Sequence, residues 1–261
     1  MAGAVRGLRA LTGAILAAAA FGAAGGAAAQ SFPARDLVIV CAFPPGSGSD
    51  TLVRFFAEKI RPMVGRTVIV ENRFGAGGSI AAEHVARAKP DGHTMLMHAA
   101  SAIAANMFLY KQPGIDAKKA LTVVATVNQQ PFMMAVDATR PWKSVQEVTA
   151  FLLEKGDKAS YATSATAGTI FGEMYKAATG VKAVEVVYRV GAESLNDQLS
   201  GRIDYGMFDP VYTMSQVRAG RLRALAVSTP QRMQAVPDIP TMSELGFKDI
   251  ELKTWFAVML P

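Results

Sequence analysis

Nine short apolar runs punctuate this chain, and most are separated by a stretch with helical periodicity. The runs are Leu37–Ala42, Thr67–Glu71, Thr94–His98, Leu121–Val127, Phe132–Val136, Ala159–Thr163, Val184–Arg189, Ile203–Phe208 and Leu222–Ser228. Strands joined through helices must return to the same edge, so the rhythm predicts mostly parallel sheets covered by helices on both faces. In the first helix Leu52, Phe55, Phe56 and Ile60 fall on one face, with an end after Pro62 and by Gly65. Ser144-Val145-Gln146-Glu147 is a capping box that opens another, ending near Gly156. Gly180, Gly201 and Gly220 stand where helix C-caps are expected.

The rhythm breaks once, at Asn128-Gln129-Gln130-Pro131, where two strand-like runs follow each other with no helix between. That is how a chain looks when it passes from one α/β domain to another. A second crossing is expected between Pro237 and Asp249, before a last strand over Glu251–Leu260. The expected division is a first lobe over 30–129 with a returning strand over 250–261, and a second lobe over 130–249. Two lobes joined by two crossings leave a cleft, where ligands commonly bind.

Residues 1–29 carry Arg6 and Arg9, no acid, an apolar run from Ala10 to Ala24, and the exit Ala27-Ala28-Ala29. This is the pattern of a secretory signal peptide cleaved before Gln30, with the product expected in the periplasm. A transmembrane anchor is the rival reading, which Gly22, Gly25, Gly26 and the small-residue exit disfavour. The whole chain has 27 Lys and Arg against 21 Asp and Glu; without those 29 residues the balance is 25 − 21, or +4. So mild a charge, scattered along the chain, does not point to nucleic acid. The lone Cys41 lies within an apolar run and reads as an inert core thiol.

Two glycine-rich loops follow the first two runs: Phe43-Pro44-Pro45-Gly46-Ser47-Gly48-Ser49-Asp50 and Phe74-Gly75-Ala76-Gly77-Gly78-Ser79. Each precedes a helix, where unpaired N–H groups and the helix dipole favour an anion. Ser47 and Ser49 can turn hydroxyls into the cleft or serve the turn. Asp50 fits a helix N-cap, an organiser of the loop, or an acceptor for the solute. Ala76 and Gly77 offer backbone N–H groups without side-chain bulk. Ser164, Thr166, Gly168 and Thr169 form the second lobe's counterpart loop. Asp209 before Pro210 is an N-cap pattern that also sits at a strand's C-terminal edge, as do His98 and Ser101.

Catalytic readings are weak. Gly46-Ser47-Gly48-Ser49-Asp50-Thr51 lacks the lysine of a P-loop, and there is no Gly-x-Ser-x-Gly elbow. His93 and His98 are five apart on a strand and point to opposite faces, which argues against a shared metal.

Taken in order, several segments resemble the tripartite tricarboxylate transporter substrate-binding proteins, the Bug family. They are Ala42-Phe43-Pro44-Pro45-Gly46 through Asp50, Val70-Glu71-Asn72-Arg73 with Gly75-Ala76-Gly77-Gly78, and Ala88-Lys89-Pro90-Asp91-Gly92-His93-Thr94. Tyr161-Ala162-Thr163-Ser164, Met207-Phe208-Asp209, Ala219-Gly220-Arg221-Leu222 and Pro237-Asp238-Ile239-Pro240-Thr241 follow. The resemblance implies a two-lobed, type II periplasmic-binding-protein-like fold, each lobe a mostly parallel sheet flanked by helices. It implies a monomer that closes on a small organic carboxylate held by backbone amides and bridging waters rather than by an arginine clamp. It further implies delivery to permease subunits or a sensor protein, and no catalysis, cofactor or metal. The implied ligand contacts are Phe43, Gly46, Ser47, Ser49, Asp50, Ala76, Gly77, Ser79, His98, Ser101, Ser164, Thr166, Gly168, Thr169 and Asp209. The chain departs from the family pattern at Ser47, Phe74, His98-Ala99-Ala100-Ser101 and the loop from Ser164 to Phe171. Family members usually continue past the Trp255-Phe256 strand, so the C-terminal part of the first lobe is expected to be missing. An exported serine hydrolase using Ser47 or Ser49, and a homologue that has kept only interactions, are the rival readings.

Overall fold

The computed structural model describes residues 31–109, 111 and 114–261, with the side chains of residues 100–102 excepted. The first part of the chain alternates β1 (Leu37–Cys41), α1 (Gly48–Val64), β2 (Val68–Asn72), α2 (Ser79–Ala86), β3 (Thr94–Ala99) and α3 (Ala100–Leu109). A short α4 (Ala117–Ala120) then leads into β4 (Thr122–Gln130). Only Pro131 and Phe132 separate β4 from β5 (Met133–Asp137). After β5 come α5 (Val145–Lys155), β6 (Ser160–Thr163), α6 (Thr166–Thr179), β7 (Val184–Val187) and α7 (Gly191–Leu199). The last elements are β8 (Tyr205–Phe208), α8 (Pro210–Arg218), β9 (Leu222–Val227) and β10 (Thr254–Leu260). The expected export signal lies outside the described residues.

The strands form two five-stranded sheets, ordered β2-β1-β3-β10-β4 and β7-β6-β8-β5-β9. In each sheet four strands run one way and the fourth position is antiparallel: β10 against β3 and β4, β5 against β8 and β9. The two odd strands are the ones that enter from the other lobe. Beyond β9, residues 228–252 stay with the second sheet: Met242 and Ile250 are buried in its core, and Val227 bridges Thr241.

Burial follows from strand periodicity. Ile39 and Cys41 face α1, meeting Val53, Ala57 and Met97, while Val40 faces α2 and meets Ala81, Val85 and Leu96. With both faces covered, β1 reads as an unbroken apolar run. Each large aliphatic side chain so buried is worth about 1.5–3 kcal/mol. In the second lobe α5 and α6 cover one face around Tyr161, Tyr175 and Tyr205, whose rings stack or meet edge-on. Helices α7 and α8 cover the other face through Leu195, Tyr212 and Val217.

One helix face differs from expectation. The core row of α1 is Val53, Phe56, Ala57, Ile60 and Val64, whereas Phe55 is 54% exposed beneath Lys59. The small Val53 and Ala57 let α1 sit close to the sheet, which rotates Phe55 outward. The last strand begins at Thr254 rather than Glu251.

Candidate functional site

A cleft of about 1170 Å³ opens between the two sheets. Its walls are the loops that leave the C-terminal ends of β1, β2, β3, β6, β7 and β8, the location favoured for ligands in open α/β sheets. Gln130, Phe132, Thr254 and Phe256, from the two crossings, close its base.

The first loop is fixed by its own side chains. Ser47, not Asp50, is the N-cap of α1: its hydroxyl accepts from Asp50 N–H at 3.2 Å. Asp50 turns inward instead. Its carboxylate accepts from Gly46 N–H at 2.9 Å, Arg54 Nε at 2.9 Å and Asn72 Nδ2 at 2.7 Å. Burial pushes this carboxyl upward in pKa, but those hydrogen bonds outweigh burial and hold it below the usual range. Asn72 also donates to Phe43 C=O at 2.9 Å, so the end of β2 clamps the first loop.

The second loop runs through an unusual backbone. Gly75, Ala76, Gly77 and Gly78 all have positive φ, from 46° at Ala76 to 127° at Gly75. Three glycines in four residues make this run accessible, and Ala76 carries the strain. Asn106 Nδ2 donates to Gly77 C=O at 2.8 Å and to Ser79 Oγ at 3.2 Å, drawing that carbonyl away from the cleft. His98 lies beneath, its Nε2 at 3.4 Å from the same carbonyl and its ring 4.7 Å from Phe43. Burial lowers the His98 pKa to about 4, so it is neutral at ordinary pH. Gly78 has no room for a β-carbon against that ring.

From the second lobe, α6 begins at Thr166 with no side-chain cap, leaving its first N–H groups toward the cleft. Thr169 lines the cleft, yet its hydroxyl, like that of Thr163, donates to Glu185. Asp209 caps α8, accepting from Tyr212 N–H at 3.0 Å, and burial raises its pKa although the backbone N–H groups of Tyr212 and Val211 oppose the shift.

Of the residues expected at the site, Phe43, Gly46, Ser47, Ser49, Gly77, His98, Ser164, Thr166, Thr169 and Asp209 line the cleft. Four do not. Asp50 is turned into the loop, Ala76 points outward, Ser79 is buried against Asn106, and Gly168 packs against Met207 C=O and Thr163. The side chain of Ser101 lies outside the described residues. Sequence reading missed the segment from Val187 to Ala192 and the α8 residues Tyr212, Ser215 and Gln216. The first was hidden because Val184–Arg189 reads as one strand, whereas β7 stops at Val187. Neither His84 nor His98 hydrogen-bonds Ser47 or Ser49 among the described residues.

Comparison with known proteins agrees with this geometry. The model of the family described as tripartite tricarboxylate transporter family receptor matches residues 52–261. Protein BugT of Bordetella pertussis is 28% identical over 92% of this chain and 74% of its own length. The solved periplasmic binding protein BugD is 32% identical, with a TM-score of 0.81 over 88% of this chain and 77% of that one. An R. palustris protein solved with adipate is 29% identical, with a TM-score of 0.84 over 88% and 78%. These relatives are solute-binding proteins, not enzymes, and the fold is the two-lobed type II arrangement.

Proposed function

Because this chain belongs to the tripartite tricarboxylate transporter family of receptors, we propose that it works in the periplasm, as a monomer, to capture a small carboxylate-bearing organic anion between its lobes. The captured solute is passed to permease subunits for uptake or shown to a sensor protein. One observation carries the reading: helix N-termini from both lobes and the two glycine loops of the first lobe converge on a single cleft. Backbone N–H groups of Gly48, Ser49 and Gly77 would receive one carboxylate, with hydroxyls of Ser49, Ser164 and Thr166 at its flanks, the Gly46 N–H being held by Asp50 and the Ser47 N–H by Pro44 C=O. The adipate bound by the R. palustris relative is an anion of this class.

Calorimetry with small mono- and dicarboxylates against their uncharged amides tests the reading. Acids should bind and amides should bind far more weakly, because the amides lack the charge that helix N-termini favour. Gly77 stands at φ 61°, in the left-handed region that favours glycine. Gly77→Val should abolish binding by forbidding those angles and filling the approach. Equal binding of acids and amides, or normal binding by Gly77→Val, refutes the anion cradle.

A further inference from the structure

Phe74 is a large ring with no place in the core of either lobe. It is 38% exposed, lies outside the apolar clusters of both sheets, and immediately precedes the positive-φ run that begins at Gly75. Its partner comes from the other lobe. The Arg189 guanidinium sits over the ring, 5.5 Å from its centre. Strands β2 and β7 hold the same edge position in their respective sheets, so the loops that follow them meet at one flank of the cleft. The loop carrying Arg189 is pinned within its own lobe: Tyr188 Oη donates to Asp197 at 2.7 Å, and Arg189 N–H donates to Glu193 Oε2 at 3.2 Å. The guanidinium is left to the ring, with no ion pair to a carboxylate among the described residues.

The lobes also touch where α1 lies against α8 and α3 against α6. At the first of these places Gly48, which has no side chain, faces Asp209. The contact of Phe74 with Arg189 is of another kind, because it is a specific attraction between two exposed side chains. A cation within about 6 Å of an aromatic centre is drawn to the ring, with a weight at an exposed site of about two- to fivefold in an equilibrium. The chain passes between the lobes only from β4 to β5 and from β9 to β10, both at the base of the cleft. Any parting of the lobes at the β2–β7 flank therefore breaks this contact and leaves the rest of each loop in place.

We propose that Phe74 and Arg189 form a latch across the cleft: the pair meets only when the lobes stand together at this flank, and so sets the fraction of solute-free protein that is already closed. The latch does not depend on which solute is held. A solute that is gripped by both lobes binds the closed form, and its apparent affinity scales with the fraction of molecules in that form. Because Phe74 adjoins the Gly75–Gly78 run, the same contact ties closure to the position of the second glycine loop.

The test needs no solute. Spin labels at Lys89→Cys and Lys182→Cys, exposed positions with one in each lobe, report the interlobe distance by pulsed electron resonance, with the buried Cys41 left in place. The ratio of closed to open molecules should fall about two- to fivefold in Phe74→Leu and in Arg189→Ala. The double variant should fall no further than either single one, since each change removes the same contact. Phe74→Trp should raise the ratio, because an indole holds a cation more strongly than a phenyl ring. Unfolding midpoints should stay where they are in all four variants, as both side chains are exposed. Additive effects of the two single changes, or a Phe74→Leu protein as closed as wild type, overturn the latch. So does a wild type that is open throughout, or a distance distribution that is the same in every variant. None of these outcomes touches the carboxylate reading, which stands or falls on its own calorimetry.

Discussion

Asp50 is 2% exposed and holds three donors from three different segments: Gly46 in the loop, Arg54 in α1 and Asn72 at the end of β2. It therefore shapes the loop without touching the cleft. Asp50→Ala should cost about 2 kcal/mol, the scale for buried donors left unsatisfied, read as a lower urea midpoint with unchanged slope. The acid behaviour has a definite sign. A carboxyl whose folded pKa is depressed gives stability that is present above its unfolded value, about 3.9, and lost as pH falls through the folded one. His98, whose pKa burial lowers to about 4, gives a different limb: stability falls from about pH 6.5 downward, as the unfolded histidine takes up its proton first. Melting curves of wild type and Asp50→Asn should therefore run parallel from pH 7 to about 5 and converge below it. A constant offset down to pH 2 would show that the Asp50 pKa is the same folded and unfolded, so that its charge adds nothing to stability. The sequence makes an N-cap at Asp50 plausible, but the competition is decided in space. Ser47 already accepts from the Asp50 N–H, and Asn72, twenty-two positions away, supplies the donor that draws the carboxylate inward. No local pattern encodes that partner.

At the scale of elements, Ser228 ties the two crossings together. Its hydroxyl accepts from Phe132 N–H at 2.8 Å and donates to Leu252 C=O at 2.6 Å, while its backbone N–H and C=O pair with Phe132 and Leu252. Thr254 adds a second tie, donating to Gln130 C=O at 3.0 Å. Ser228→Ala leaves the buried Phe132 N–H and Leu252 C=O each one partner short, and should cost about 1–3 kcal/mol. Urea unfolding reads the stability loss, and hydrogen exchange should localise faster opening to residues 130–133 and 252–255; protection there equal to wild type would refute the tie. The elements themselves were largely legible. Runs bounded by glycine and proline gave strands, and the Ser144 cap is present, with Ser144 Oγ accepting from Glu147 N–H. The Glu147 carboxylate, however, accepts from Lys143 N–H, where a full capping box would use Ser144 N–H. What periodicity cannot give is partner and direction. A strand of β5's composition reads the same whether parallel or antiparallel, and its reversal follows from entering the second sheet directly from β4 across two residues. The segment 228–252 was equally opaque, because it packs through Met242, Phe247 and Ile250 without regular structure.

For the molecule as a whole, binding depends on how closely the lobes can approach, and one glycine sets a limit. Gly48 opens α1 on the first lobe, and a β-carbon there would meet Asp209 Oδ1 at 2.5 Å and Val211 Cβ at 3.1 Å on the second. Asp209 cannot swing aside cheaply, since the same oxygen caps α8 through Tyr212 N–H. The absence of a side chain at Gly48 is thus a condition of the interlobe distance, not of the local backbone. Gly46 provides the contrast: it has φ 79° and no atom within 4 Å of a would-be β-carbon. Alanine at Gly46 strains the loop by about 1 kcal/mol, whereas alanine in a helix is more favourable than glycine by up to about 1 kcal/mol. Gly46→Ala should lower the melting temperature and leave the lobes free to meet. Gly48→Ala should hold or raise the melting temperature, yet weaken acid binding by about tenfold or more, the equivalent of 1.4 kcal/mol of steric opposition to closure. Small-angle scattering with saturating ligand should show compaction for wild type and Gly46→Ala but less for Gly48→Ala. Equal affinity and equal compaction in all three proteins would mean that the solute is bound without the lobes drawing together at this point. The cleft would then act as a fixed pocket rather than a closing one.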